Sequence, residues 1–275
     1  MKKCAIYIYI LFISALNIFS QDPEFQTKLE ELYKNAEAFN IPKEWLKENL
    51  ENSKFEIYYS IPKLFTNMAE NRVKKSDLTF EEYLRNFGVD DKVKNGLLFI
   101  EEHKEILTVI ENRNGIHNEL IVALLAIETN FGNKKFFGNF FLFPSLVSQY
   151  LLMPKKEEFA LRELSYLYLL KKEKNIDYSY IKGSFAGAVG LGQFIPSFVY
   201  NFFIDSNLID SDTDVFSLDD NIASIENYLS KHGLNYDTIN DDKSIYEAVF
   251  AYNRSDAYVK AVVYIYKELY KNRNK

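Results

Sequence analysis

The chain has 275 residues, 47% hydrophobic and 26% charged, with only 10 Gly and 6 Pro. That is enough for a large core in one or two domains, and the composition excludes a disordered or collagen-like protein. With 33 Lys+Arg against 39 Asp+Glu, the net charge is −6 and no long basic run occurs. The charge therefore argues against nucleic acid as a partner.

Met1–Ser20 has the layout of an export signal. Lys2 and Lys3 precede an apolar run, Ala5–Phe19, interrupted only by Ser14 and Asn17. The run is shorter than the about 20 residues that span a bilayer and fits a signal-peptide core. An uncleaved signal would instead leave a membrane anchor. The single cysteine, Cys4, stands before the apolar run, whereas a lipid-bearing cysteine would follow it. Removal of the signal leaves no cysteine, which excludes disulfides, a catalytic thiol and thiolate metal sites.

From Phe25 to about Asn71, apolar residues recur at helical spacing, as in Leu29, Leu32, Ala36 and then Trp45, Leu46, Leu50. Pro42 suits the opening of a helix, and Trp45 reads as a core anchor. The charged stretch Glu70–Asp77 reads as a linker. Beyond it, helices are predicted over Phe80–Phe87, Asp91–Asn112, Asn118–Phe131, Glu157–Lys172, Leu218–His232, Ile245–Tyr252 and Ala257–Tyr270. Alternating β patterns are scarce, so the fold class is mainly α. The chain divides into a signal peptide (1–20), an N-terminal helical region (21–77) and a main domain (78–275).

Three segments carry chemistry. Ile121–Ile127 is apolar all round, which predicts a buried helix, and it runs into Glu128-Thr129-Asn130-Phe131-Gly132. Burial raises a carboxyl pKa and makes a proton donor near neutral pH. The same Glu128 could instead pair with Lys or Arg, or face water. The second segment, Gly183–Gly192, holds four of the ten glycines and continues as Gln193-Phe194-Ile195-Pro196. Its spacing fits neither the phosphate loop nor the dinucleotide fingerprint. Small residues allow a ligand close to the backbone, and Ser184 and Gln193 could read sugar hydroxyls and acetamides, although tight packing would select the same residues. The third, Tyr252-Asn253-Arg254-Ser255 followed by Tyr258, puts an amide between tyrosines, whose faces can stack on sugars or simply fill core.

An acidic stretch, Asp205–Asp214, suggests calcium, but an EF-hand register starting at Ser206 puts Leu208 at position 3, Ser211 at position 6 and Ser217 at position 12. A solvated acidic loop is the default reading. His103, His117 and His232 lack metal-ligand spacing.

Taken together, the three segments resemble the lytic murein transglycosylase B family. The match is most specific at Gly-Ser-Phe-Ala-Gly-Ala-Val-Gly-Leu-Gly-Gln-Phe-Ile-Pro (183–196), with Glu128-Thr129-Asn130-Phe131-Gly132 before it and Tyr252–Tyr258 after it. The resemblance implies a lysozyme-like catalytic domain with additional N-terminal helices, exported to the periplasm. It implies cleavage of the β-1,4 bond between N-acetylmuramic acid and N-acetylglucosamine without water, leaving 1,6-anhydro-muramyl ends. It makes Glu128 the catalytic acid and then base, and places Ser184, Gln193, Tyr252, Asn253 and Tyr258 along the saccharide cleft. The implied partners are peptidoglycan glycan strands and, beyond them, cell-wall synthesis proteins, with the protein itself a monomer. No cofactor is required. Relatives can hold calcium in a loop that is degenerate here, which leaves Asp210, Asp212 and Asp214 as candidates for a residual site. Two other readings stand beside this one, a hydrolysing muramidase and a catalytically silent wall-binding protein.

Overall fold

The computed structural model describes residues 23–76, 79–207 and 213–273. The expected signal and Cys4 lie outside them, as do Asp210 and Asp212. In chain order the helices are α1 (Pro23–Glu37), α2 (Lys43–Leu50), α3 (Ile61–Ser76), α4 (Phe80–Asn86), α5 (Val89–Glu102), α6 (Lys104–Asn114) and α7 (Asn118–Thr129). Strand β1 (Phe140–Phe141) leads into α8 (Leu142–Leu152) and α9 (Glu157–Lys174), then β2 (Lys182–Gly183) and α10 (Pro196–Phe202). The chain continues with α11 (Leu218–Lys231), α12 (Asp242–Tyr252) and α13 (Asp256–Arg273). The mainly α expectation holds. No helix among the described residues is long and apolar enough to cross a membrane.

Helix α7 runs through the core. Every residue from Leu120 to Ala126 is fully buried, as an all-apolar sequence requires. α13 and α5 flank it, with α6 and α11 completing its surround. Gly96 of α5 lets the helices close up. A Cβ there would stand 2.9 Å from Leu269 of α13 and 3.5 Å from Val122 of α7.

The N-terminal helices share one core with the helices that follow. Trp45 of α2 meets Phe143 of α8 edge-on at 5.5 Å and Tyr168 of α9 at 5.6 Å, confirming it as a core anchor. The Tyr58 amide donates to Ser148 Oγ at 2.9 Å, and its hydroxyl accepts from the Phe141 amide at 3.0 Å. Phe65 of α3 abuts Phe185 at 5.0 Å, so this region walls the loop that carries Ser184.

Two expectations are corrected. The charged stretch from Glu70 is no linker as far as Ser76, because α3 runs through it. Neither Gly nor Pro interrupts it, and Glu, Lys and Arg are good helix formers. The helix expected over Asp91–Asn112 is two, α5 and α6, broken at His103 with φ −110° and ψ 25°. The His103 ring turns onto Phe99 at 4.4 Å. Helix α8 and the β1–β2 pairing of Phe140 with Gly183 and Phe141 with Lys182 were not expected.

Candidate active site

Glu128 occupies the last turn of α7, and the chain leaves that helix abruptly. Asn130, Phe131 and Gly132 take φ of 49°, 63° and 80°, three successive left-handed residues. Glycine tolerates this freely and a phenylalanine does not, so the turn needs external support. The Phe131 amide donates back to Leu125 O at 3.0 Å. The Thr129 hydroxyl donates to Leu191 O at 2.7 Å and accepts from the Gly132 amide at 3.0 Å. Thr129 thus ties the end of the buried helix to the glycine-rich segment.

That segment is a tightly crossed backbone. Val189 and Phe194 form an antiparallel bridge. Gly190 has φ 75°, and a Cβ on it would stand 2.3 Å from Val215 O. Gly183 lies equally close to Ala188 O. Gly183 and Gly190 are therefore accounted for by packing of chain against chain, whereas Gly187 and Gly192 make room for the side chains of Leu146 and Phe194. The Ser184 hydroxyl accepts from the Ala188 amide at 3.1 Å, keeping its own proton available. Gln193 is itself left-handed (φ 53°), and its Nε2 donates to Gly190 O at 3.1 Å, leaving the amide oxygen open. Asn221 of α11 fastens the same loop, its Oδ1 accepting from the Gly192 amide at 3.0 Å.

The third segment closes over Glu128. The Tyr258 hydroxyl, at the start of α13, donates to Glu128 Oε1 at 2.6 Å. The Tyr252 hydroxyl, at the end of α12, donates to Gly192 O at 2.6 Å. Tyr252, Glu128 and Tyr258 thereby form one group linked to the glycine-rich loop, with Asn253 between the two helices and half-buried. Ser184 makes no hydrogen bond to this group. It sits at the far turn of its own segment, beside Phe185 and the N-terminal wall.

Electrostatically, Glu128 is the unusual residue of the chain. It retains some solvent access, yet packing strips enough water to push its carboxyl up to about 7. The hydrogen bond from Tyr258 pulls the other way, since it favours the charged form. No other carboxylate among the described residues adds to this shift, and no Lys or Arg pairs with Glu128. Among the described residues, the salt-bridged alternative finds no partner. Burial, and then the Glu128 charge, hold the hydroxyls of Tyr252 and Tyr258 well above the usual tyrosine range, so both remain proton donors.

Tyr228 of α11 was not singled out from the sequence. Its ring lies 5.3 Å from Tyr252, edge-on, stacked between Phe198 at 4.6 Å and His232 at 3.9 Å. Burial pushes its hydroxyl up to about 12, and Arg254 draws it back slightly. Its helical spacing marks it only as a core aromatic, which is why sequence reasoning passed over it.

A separate groove of about 780 Å³ is lined by Phe99, His103, Phe131, Phe137, Leu191 and Phe216 among others. Neither Glu128 nor Ser184, Gln193, Tyr252, Asn253 or Tyr258 lines it. For the acidic loop, Asp214 is the described member of the three calcium candidates. It is exposed, its Oδ1 accepts from the Phe216 amide at 2.8 Å, and its own amide donates to Asp220 Oδ2 at 2.9 Å. The carboxylate of Asp220 also accepts from the Ser206 amide at 3.0 Å, joining the two ends of the loop. Among the described residues no group of three or more His, Asp or Glu is placed to hold a metal ion.

Comparison with known proteins identifies the family and the fold. The family model described as the transglycosylase SLT domain matches residues 24–240, which takes in the N-terminal helices and stops before Tyr252. The membrane-bound lytic murein transglycosylase B of Escherichia coli (strain K12) is 30% identical over 151 residues, 55% of this chain and 41% of that protein's length. The soluble lytic transglycosylase SltB1 of Pseudomonas aeruginosa superposes with a TM-score of 0.72 at 21% identity, over 90% of this chain and 100% of that one. SltB3 of the same organism, solved with NAG-anhNAM-pentapeptide, superposes with a TM-score of 0.70 at 18% identity, over 90% of this chain and 79% of that one. The lysozyme-like lytic transglycosylase fold is thereby established, and the chain belongs to the transglycosylase SLT domain family.

Proposed function

We propose that the protein is a lytic transglycosylase of peptidoglycan, with Glu128 as its acid and base. The observation that carries this reading is a lone carboxyl at the end of a buried helix, held near pH 7 and gripped by Tyr258. Most glycosidases use two carboxylates, the second attacking the sugar or activating water. A site with one carboxylate suits a substrate that supplies its own nucleophile.

Protonated Glu128 gives its proton to the bridging oxygen between C1 of N-acetylmuramic acid and O4 of N-acetylglucosamine. As the C1–O bond breaks, the N-acetylmuramic acetamide oxygen attacks C1. The Glu128 carboxylate then takes the proton of the C6 hydroxyl, and O6 displaces the acetamide to close the 1,6-anhydro ring. Water is not consumed, and Glu128 ends protonated as it began. A pKa of about 7 suits a group that must both give and take a proton near neutrality. Tyr258 steadies the carboxylate half of the cycle.

Ser184, Gln193 and Asn253 are assigned to the sugar's hydroxyls and acetamide, with Tyr252 and Tyr258 shaping the cleft wall. The free proton of Ser184, the open amide oxygen of Gln193 and the half-buried amide of Asn253 support those roles. The glycan class is supported by the relative solved with a NAG-anhNAM-pentapeptide fragment. Export to the periplasm follows from the Met1–Ser20 signal.

The test is solubilisation of dye-labelled sacculi by wild type, Glu128→Gln and Asn253→Ala. Wild type should release dye, Glu128→Gln should release none, and Asn253→Ala should be slowed. Full release by a folded Glu128→Gln would overturn the assignment.

A further inference from the structure

Lys92, on the first turns of α5, is a half-buried lysine with no carboxylate within ion-pair distance among the described residues. Its Nζ donates instead to Ala126 O at 2.6 Å and to Asn130 Oδ1 at 3.3 Å. Both acceptors belong to the C-terminal turn of α7, two residues either side of Glu128. Burial pulls the ammonium down with nothing to offset it, so this placement is costly.

The chain contains its own comparison. Helix α9 ends in the same way as α7, on a left-handed asparagine, Asn175 (φ 56°), with the next amide, Ile176, donating to Leu170 O at 3.0 Å. Among the described residues, no lysine from another helix reaches that end. The turn after α7 differs in continuing left-handed through Phe131, which the turn after α9 does not do. A helix end of this kind closes without a buried cation unless something further must be held. The negative end of the helix dipole also favours a cation here.

We propose that Lys92 is a positioning residue for Glu128. Its ammonium clamps Ala126 and Asn130, fixes the strained Asn130–Phe131 turn, and so aims the Glu128 carboxyl at Tyr258 and the cleft. The inference rests on the proposed glycan cleavage but adds a residue outside the cleft. Lys92 touches no substrate in this account, so its loss acts on turnover and spares binding.

The test compares wild type, Lys92→Met, Lys92→Arg and Lys174→Met, a lysine near the end of α9. Initial rates on soluble glycan strands separate kcat from KM, and hydrogen exchange follows the Phe131 amide independently of activity. Lys92→Met should lower kcat about tenfold or more with KM within twofold, and speed Phe131 exchange at least tenfold. Lys92→Arg, retaining charge and donors, should recover kcat to within about threefold of wild type. Lys174→Met should match wild type in all respects. A Lys92→Met with wild-type kcat and wild-type exchange overturns the proposal, as does a loss expressed in KM. Should Lys92→Met melt below the assay temperature, a folded Lys92→Arg with less than a tenth of wild-type kcat would overturn it equally. An inactive wild type would instead refute the proposed activity, and the exchange comparison would still decide the clamp.

Discussion

Replacing Glu128 by Gln should make the protein more stable at neutral pH, by an amount that follows from the raised pKa of its carboxyl. The substitution keeps shape and an oxygen to accept the Tyr258 hydrogen bond, but removes an ionisable group that packing holds at about 7 instead of 4.5. The folded state therefore binds the Glu128 proton more tightly than the unfolded chain does. Its contribution to stability is complete below pH 4.5, falls as pH rises, and is lost above about 7. A difference of about 2.5 pKa units corresponds to about 3 kcal/mol. Denaturant unfolding of both proteins at several pH values between 4 and 8 reads this directly, provided the slope with denaturant is unchanged. Glu128→Gln should gain about 3 kcal/mol on wild type between pH 4.5 and 8. A stability difference that does not vary with pH would refute the desolvated acid, and with it the reason for assigning proton transfer to this residue.

Other substitutions probe the supports of the site. Tyr258→Phe removes a donor that favours the Glu128 carboxylate, so the alkaline limb of kcat/KM should move up in pH by about 1–2 units. A limb that stays fixed would mean that another group controls it. Gly190→Ala places a Cβ 2.3 Å from Val215 O at φ 75°, and should cost about 2 kcal/mol or more in thermal or denaturant unfolding while loosening the Gln193 turn. Trp45→Ala should cost about 3–5 kcal/mol, because its ring fills the space between Phe143 and Tyr168. It should also lower activity, since the N-terminal helices wall the Ser184 loop.

The buried helix was legible because α7 is apolar from Leu120 to Ile127, with Glu128 directly after that run. The glycine-rich segment was legible as a unit, although two of its glycines, Gly183 and Gly190, answer to backbone crossings at Ala188 and Val215 that no local pattern displays. The break at His103 left no mark, since the charged residues around it suit a helix. Helix α8 was hidden by Pro144 in its first turn and by the buried polar residues Ser145, Ser148 and Gln149, which interrupt apolar periodicity. Strands of two residues are too short to alternate. What the sequence could not contain was the meeting of distant parts. Tyr258 is 130 positions from Glu128, and Lys92 bonds to a residue 34 positions away. Both contacts exist only because α5 and α13 flank α7.

The most direct test of the central claim is mass spectrometry of the sugar fragments that wild type and Glu128→Gln release from purified sacculi. The account predicts 1,6-anhydro-muramyl ends from wild type and no fragments from Glu128→Gln. Reducing ends from wild type would make the protein a hydrolysing muramidase, and anhydro ends from the folded Gln variant would remove Glu128 from the chemistry.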